Sequence, residues 1–238
     1  MKEKYKIISG SGLKLIAVIC MLIDHTAGHI LKYYDFATDA LIRLGTTDIS
    51  LYFIMRRIGR ISFPIFAFLI AEGYVHTKNK KKYGLNLLAS ALISEIPWNL
   101  CHGGELLNPS SQNVLFTLLL GYLAIVVLDY YKDDKKTMVY FEILLFLTSV
   151  FIKSDYGSYG MGLVVVMYLL RENKIMQFLL GSCMMSKEIF ASLAFVPINM
   201  YNGKRGFIKG KAAKYFFYII YPLQYFIIYL IKMKLQIA

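Results

Sequence analysis

Seven stretches of this 238-residue chain are apolar for nearly the length needed to cross a bilayer, and this pattern constrains the fold more than any other feature. A crossing takes about 20 mostly apolar residues. The runs extend from about Gly12 to Ile30, Ile58 to Tyr74, Leu85 to Leu100, Val114 to Tyr130, Met138 to Ile152, Tyr159 to Leu170 and Tyr215 to Ile231. An eighth stretch, Ile175 to Met200, carries Ser186-Lys187-Glu188 in its middle and reads either as one kinked span or as a hairpin of two short helices dipping into the membrane. Lipid offers no hydrogen bonds to exposed backbone, so runs of this length become helices. The expected fold is all-α, a polytopic transmembrane bundle of about eight (8–10) helices, forming a single domain over residues 1–238. A hydrophobic content of 57% fits that class and exceeds the roughly 45–50% of soluble domains.

The net charge of +12 does not point to nucleic acid, because the cations cluster between apolar runs and no stacking module or recognition helix is visible. The pattern fits loops facing a cytoplasm and anionic lipid. Lys2, Lys4 and Lys6 precede the first run, Lys78 and Lys80–Lys82 follow the second, and Lys132, Lys135 and Lys136 follow the fourth. The loop from Cys101 to Asn113 has no Lys or Arg. This alternation puts the amino terminus and the lysine loop in the cytoplasm. Arg56, Arg57 and Arg60 dissent, falling on the outer side in this scheme. Lys204, Arg205, Lys209, Lys211 and Lys214 stay cytoplasmic only if Ile175–Met200 is re-entrant, the reading favoured here; the carboxyl terminus is then outside. Cys20, Cys101 and Cys183 are far apart, which argues against a zinc site or disulfide frame. The first run lacks a small-residue cleavage site and reads as a span rather than a removed signal peptide. The connection from Leu31 to Arg57 suits a short amphipathic helix at the interface.

Ionisable residues at membrane depth are costly and therefore functional candidates. Asp24 and His25 lie in the first run, His25 roughly 20 Å from its inner edge at 1.5 Å per residue. Glu95, in the third run, lies roughly 18 Å deep, close to the same level. A histidine and a carboxylate at one depth could form a base and its orienting partner. Asp24 points about 100° away from His25 and cannot simply orient it. Glu72 and His76, four apart, are expected to pair with each other or with the lysine loop, and Lys187-Glu188 to mark a helix end. His25 and His29 share a helix face, but Thr26 stands where a zinc-protease helix would carry its Glu, and His76 and His102 fall near opposite membrane faces. No metal is expected.

Several motifs resemble the TraX family in order along nearly the whole chain. They are Arg57–Tyr74 (RIGRISFPIFAFLIAEGY), Ala91–Trp98 (ALISEIPW), Gln112–Gly121 (QNVLFTLLLG), Asp155–Gly160 (DYGSYG), Tyr201–Gly206 (YNGKRG) and Tyr221-Pro222-Leu223. The family comprises bacterial inner-membrane proteins named for conjugal transfer, its named example being a pilin N-terminal acetylase. It is similar to the large transmembrane acyltransferases that take an acyl group from a cytoplasmic donor such as acetyl-CoA. The resemblance implies a catalytic histidine at His25, preceded by Asp24, and basic residues that hold the donor. Gln224 and Asn86 depart from the histidine and arginine expected at those places.

The implied activity is transfer of acetyl from acetyl-CoA to an amine or hydroxyl near the outer face. The acceptor would be a pilin or other peptide amino terminus, a glycan or a lipid head group. His25 would be the base, with Glu95, or Asp24 through another span, stabilising its imidazolium. Lys78, Lys81, Lys82, Lys204 and Arg205 would hold the donor, and Gln112, Asn113, Asp155 and Tyr156 would line the acceptor entrance. The alternatives are a proton-coupled transporter of small molecules using the same buried groups, and an accessory subunit of a conjugation or secretion system.

Overall fold

The structure, a computed structural model, describes residues 5–208 and 210–237, except the side chains of 211–214. Lys2, Lys4 and Lys209, and the side chains of Lys211 and Lys214, therefore lie outside the described residues. In chain order the elements are α1 Gly10–His29, α2 Asp35–Thr38, β1 Ile42–Leu44, β2 Thr47–Ile49, α3 Leu51–Gly59, α4 Ser62–His76, α5 Lys80–Gly103 and α6 Val114–Tyr130. There follow α7 Lys135–Ile152, α8 Gly157–Leu169, α9 Lys174–Met184, α10 Phe195–Asn199 and α11 Lys211–Leu235, with a 3-10 segment Ser186–Ala194 between α9 and α10.

The helical, membrane-spanning class expected from the apolar runs is the class observed. Among the described residues, three stretches are long and apolar enough to cross a bilayer: Gly10–Tyr33, Leu51–His76 and Tyr215–Leu235. Helices α6 and α8 are apolar but shorter. Polar caps set where the helices start, each contributing about 1 kcal/mol. Ser9 accepts from the Gly12 N–H at 3.3 Å, Ser50 from Phe53 at 3.1 Å, Asn79 from Lys82 at 2.8 Å and Asn113 from Leu115 at 3.0 Å. Helix α5 runs on through Pro97 and stops at Gly104, whose φ of 72° suits glycine. The connection read as one short interfacial helix is instead α2, an antiparallel hairpin β1–β2 and the beginning of α3. Its tight turn at Gly45, φ 62°, reverses the chain where a helix was expected.

Hydrogen bonds separate the two ends of the bundle. At the basic end, the Tyr74 hydroxyl and Lys80 ammonium both donate to Asp129, each at 2.6 Å, tying α4, α5 and α6. At the far end, Asp155 N–H donates to the Gln112 carbonyl at 3.0 Å, and Lys232 to the Cys101 carbonyl at 3.0 Å. Ile175–Met200 is a hairpin: α9 leaves the basic end, the chain kinks at Glu188 (φ −129°, ψ 67°), and α10 returns. Backbone N–H groups of Ile8 and Gly10 then donate to the carbonyls of Met200 (2.9 Å) and Lys204 (2.8 Å). Lys204 and Arg205 therefore lie at the end where α1 begins, as the re-entrant reading required, and α11 finishes at the far end.

The core packs α1, α4, α6 and α8 around Leu13, Ile65, Phe68, Ile125 and Leu163. At Gly121 a Cβ would stand 2.6 Å from the Val164 Cβ, so glycine permits this close approach of α6 and α8. Helix α7, in contrast, exposes Phe151 (80%), Tyr140 and Ile143, a surface suited to lipid.

Candidate functional site

Helix α1 carries Asp24 and His25 into the bundle on diverging faces. Asp24 turns to α3, where its Oδ2 lies 2.9 Å from Arg56 Nη1. Two glycines make this possible. A Cβ on Gly59 would collide with the Asp24 side chain, and one on Gly28 would meet Arg56 Nη1 at 2.8 Å. His25 turns to α11, its Nε2 3.2 Å from the Tyr225 hydroxyl and its ring centroid 4.7 Å from that of Tyr225. His29, one turn on, meets His102 of α5 with centroids 4.6 Å apart, and His102 lies against Trp98 at 4.1 Å. Among the described residues no group of three or more His, Cys, Asp or Glu is arranged to hold a metal ion.

Around this cluster lies a layer of ion pairs. Arg60, at the α3–α4 junction, donates to the Tyr156 hydroxyl at 3.2 Å and lies 3.7 Å from Glu188. Arg57 pairs with Glu188 at 2.9 Å and is flanked by the rings of Phe53 and Phe190. The tip of the α9–α10 hairpin is thus held by two arginines of the α3–α4 region. Tyr156 stacks on Phe63, 3.9 Å between centroids. Thr117 donates to the Asp155 carbonyl, fixing the loop that carries Asp155.

Three cavities line up through the bundle. A vestibule of about 620 Å³ at the far end includes Asp24, His25, His29, Arg56, Arg60 and Asp155 among its walls. A chamber of about 90 Å³ shares Asp24, His25, Arg60 and Asp155 with it. A third cavity, of about 320 Å³, opens toward Lys14, Lys82 and Arg205 at the basic end and shares Phe66, Leu115, Leu118, Phe217 and Tyr221 with the chamber. His25 stands between chamber and vestibule.

The structure brings together some of the residues expected from sequence. Asp24, His25 and Asp155 share both the chamber and the vestibule, with Tyr156 in the chamber wall. Lys82 and Arg205 share the basic-end cavity, while Lys78, Lys81 and Lys204 are not among its walls. Glu95 is held by the side-chain and backbone N–H groups of Asn113, and its place beside His25 is taken by Tyr225. Asn113, fully buried, also donates to the Ala91 carbonyl at 3.0 Å, and Gln112 bridges to Ser154 and to the Asn108 carbonyl, so both brace loops instead of lining the vestibule. Glu72 and His76 do pair, at 3.4 Å. Gln224 is buried (4% exposed) on the turn of α11 that bears Tyr225. The sequence reading missed Lys14, Tyr225 and the roles of Arg56 and Arg60; the arginines' misfit to the loop-charge alternation was their visible signal.

The family model of the TraX protein matches residues 9–232. This chain belongs to the TraX family. One TraX-related protein, "Probable fimbrial assembly protein FimC, serogroup H1" of Dichelobacter nodosus, is 26% identical over 253 residues, covering 94% of this chain and 96% of the relative. No solved structure matches significantly. The TraX match runs from the cap of α1 to the final turns of α11, so it includes every wall of the three cavities.

Proposed function

We propose that this TraX-family protein is a membrane-embedded acyltransferase that passes acetyl from cytoplasmic acetyl-CoA to an amine or hydroxyl at the outer face. The observation that carries this reading is the succession of cavities linking a cationic mouth to a polar vestibule, with His25 at the junction. By the lysine-rich loops, the basic end lies in the cytoplasm of a bacterial inner membrane.

Lys14, Lys82 and Arg205 bind the phosphates of the donor, and Lys78, Lys81 and Lys204 add to the field at that mouth. The pantetheine arm lies along Phe66, Leu69 and Phe217. In the chamber, the acceptor's N–H or O–H gives its proton to His25 as its lone pair attacks the thioester carbonyl carbon. The C–S bond then breaks, and the departing coenzyme thiolate takes up the proton from His25. Tyr225 holds the imidazole through Nε2. Asp24, neutralised by Arg56, lies beside the developing charge, and Asp155 and Tyr156 meet the acceptor. Glu95 acts indirectly, by fixing Asn113 at the start of α6.

The relative's name favours a second reading, an accessory subunit of a fimbrial, conjugation or secretion system without chemistry of its own. One comparison separates the two. Membranes bearing the wild-type protein or His25→Ala are supplied with labelled acetyl-CoA, and label passing to peptides, glycans and lipids is resolved by mass spectrometry. Acyl transfer predicts an acetylated species that His25→Ala abolishes. Full transfer by His25→Ala sinks the catalytic role, and normal assembly by that variant with no acetylated species supports the accessory one.

A further inference from the structure

A further cavity, of about 570 Å³, lies at the basic end and shares no wall residue with the three that form the path. The Tyr201–Gly206 loop divides it from the basic-end cavity of the path. Tyr201, Asn202 and Gly203 line the one space and Arg205 the other.

Its walls hold donors for an anion and acceptors for a cation. Lys6, ahead of α1, and Lys174, at the start of α9, bring ammonium groups. Lys174 Nζ lies 3.3 Å from Gln177 Oε1, and an ammonium has three donors, so two remain. Arg171, in the α8–α9 turn, is already held by the Tyr168 carbonyl at 2.9 Å and by Glu172 at 3.7 Å. On the acceptor side, Glu72 of α4 interacts with the Tyr201 hydroxyl and lies 3.4 Å from His76. A carboxylate offers about four acceptor sites, which leaves Glu72 capacity for a further N–H. Asn199, the last residue of α10, keeps its side-chain oxygen without a hydrogen-bond partner among the described residues.

The rest of the wall separates a lipid from a soluble zwitterion. Ile175 and Phe178 line the cavity and are exposed, and exposed Leu179 joins them on one face of α9 at i, i+3 and i+4. Phe178 is set by its edge contact with buried Phe195, 5.6 Å between centroids. Since α9 runs from the basic end into the bundle, the charged cavity continues as an apolar strip along the helix. A charged head at the helix start with apolar chain along its side is the form of a phospholipid at the membrane boundary. A choline head has no N–H to give Glu72 or Asn199, and a glycerol head has no cation.

We infer that this cavity seats one phospholipid with an ethanolamine head group. Lys6 and Lys174 hold its phosphate, Glu72 and Asn199 take its ammonium, and a chain lies along Ile175, Phe178 and Leu179. The site is at the opposite end from the vestibule, so this lipid is not the acceptor there, and the inference does not depend on the acyl-transfer reading.

The test uses the full chain, purified in detergent and stripped of lipid, then titrated with ethanolamine, choline and glycerol phospholipids of identical chains. Retained lipid is read by native mass spectrometry. The wild-type protein should retain the ethanolamine lipid about tenfold better than the other two, the worth of one hydrogen bond between charged groups. Glu72→Gln should bring it down to the choline level, and Lys174→Ala should weaken both alike through the shared phosphate. Free phosphoethanolamine should not displace it. Equal retention of all three lipids by the wild-type protein, preference for the glycerol lipid, displacement by phosphoethanolamine, or an unchanged preference in folded Glu72→Gln each overturns the site. The wild-type series is decisive even if a variant does not fold.

Discussion

At the basic mouth, Lys14, Lys82 and Arg205 stand over walls of Phe66, Leu69, Leu87 and Phe217, with no carboxylate among the described lining residues. In the vestibule, cations and carboxylates are interleaved, Arg56 being bound to Asp24. A mouth of one sign with apolar walls attracts an anion and accepts an apolar arm behind it. In the vestibule, Asp24 and Asp155 offset most of the charge of Lys32, Arg56 and Arg60, so its net pull is weaker and shape and hydrogen bonding count for more. Under the proposed acyl transfer, the two ends of one path would serve different partners, a polyanionic donor at the mouth and a less charged acceptor in the vestibule.

Substitutions can break this contrast. The largest effect is expected at the junction. His25→Ala should cut acetyl transfer about 10²–10⁴-fold while donor affinity, measured by titration with acetyl-CoA, stays near wild type. Next comes the vestibule's internal charge pairing. Asp24→Ala leaves Arg56 without its partner, and because Arg56 is still 29% exposed the cost should be about 1–2 kcal/mol, read as a lowered Tm in detergent. Adding Arg56→Ala should recover part of that loss.

At the basic mouth, Lys82→Ala or Arg205→Ala should raise KM for acetyl-CoA by about tenfold, or ~1.4 kcal/mol, with kcat little changed, and added salt should mimic the change. An equal rise in donor KM from Lys32→Ala, in the vestibule, would erase the distinction between the ends.

Much of the fold was legible because lipid forces apolar runs into helices. The run read as Val114–Tyr130 is α6 to the residue, and Met138–Ile152 differs from α7 only by its polar first turn. The hairpin in Ile175–Met200 could be argued from charge, since Lys187-Glu188 inside an apolar stretch signals a break and Lys204-Arg205 had to stay with the other cations. The β-hairpin before α3 was not visible, because β1 and β2 have only three residues each, too few for a period to show.

The site was legible one helix at a time. Depth counting placed His25 and Glu95 at one level, but rise along an axis says nothing of azimuth or of which helices are neighbours. Helix α11 supplies the contact through Tyr225, and α6 takes Glu95 through Asn113. Arg56 and Arg60 were read as loop charges, because their partners Asp24, Tyr156 and Glu188 come from three separate parts of the chain.

The His25–Tyr225 contact joins residues 200 apart, and Ser11 bonds to Arg205 across 194. During synthesis, α1 enters the membrane long before its partners emerge from the ribosome. Until α11 is inserted, the imidazole lacks its hydroxyl partner and both outer cavities lack the wall that α11 supplies. Such long sequence separations slow assembly. A nascent chain paused after α8 would therefore hold acquired helices but no enclosed path, so an unfinished protein would offer donor and acceptor no place to meet.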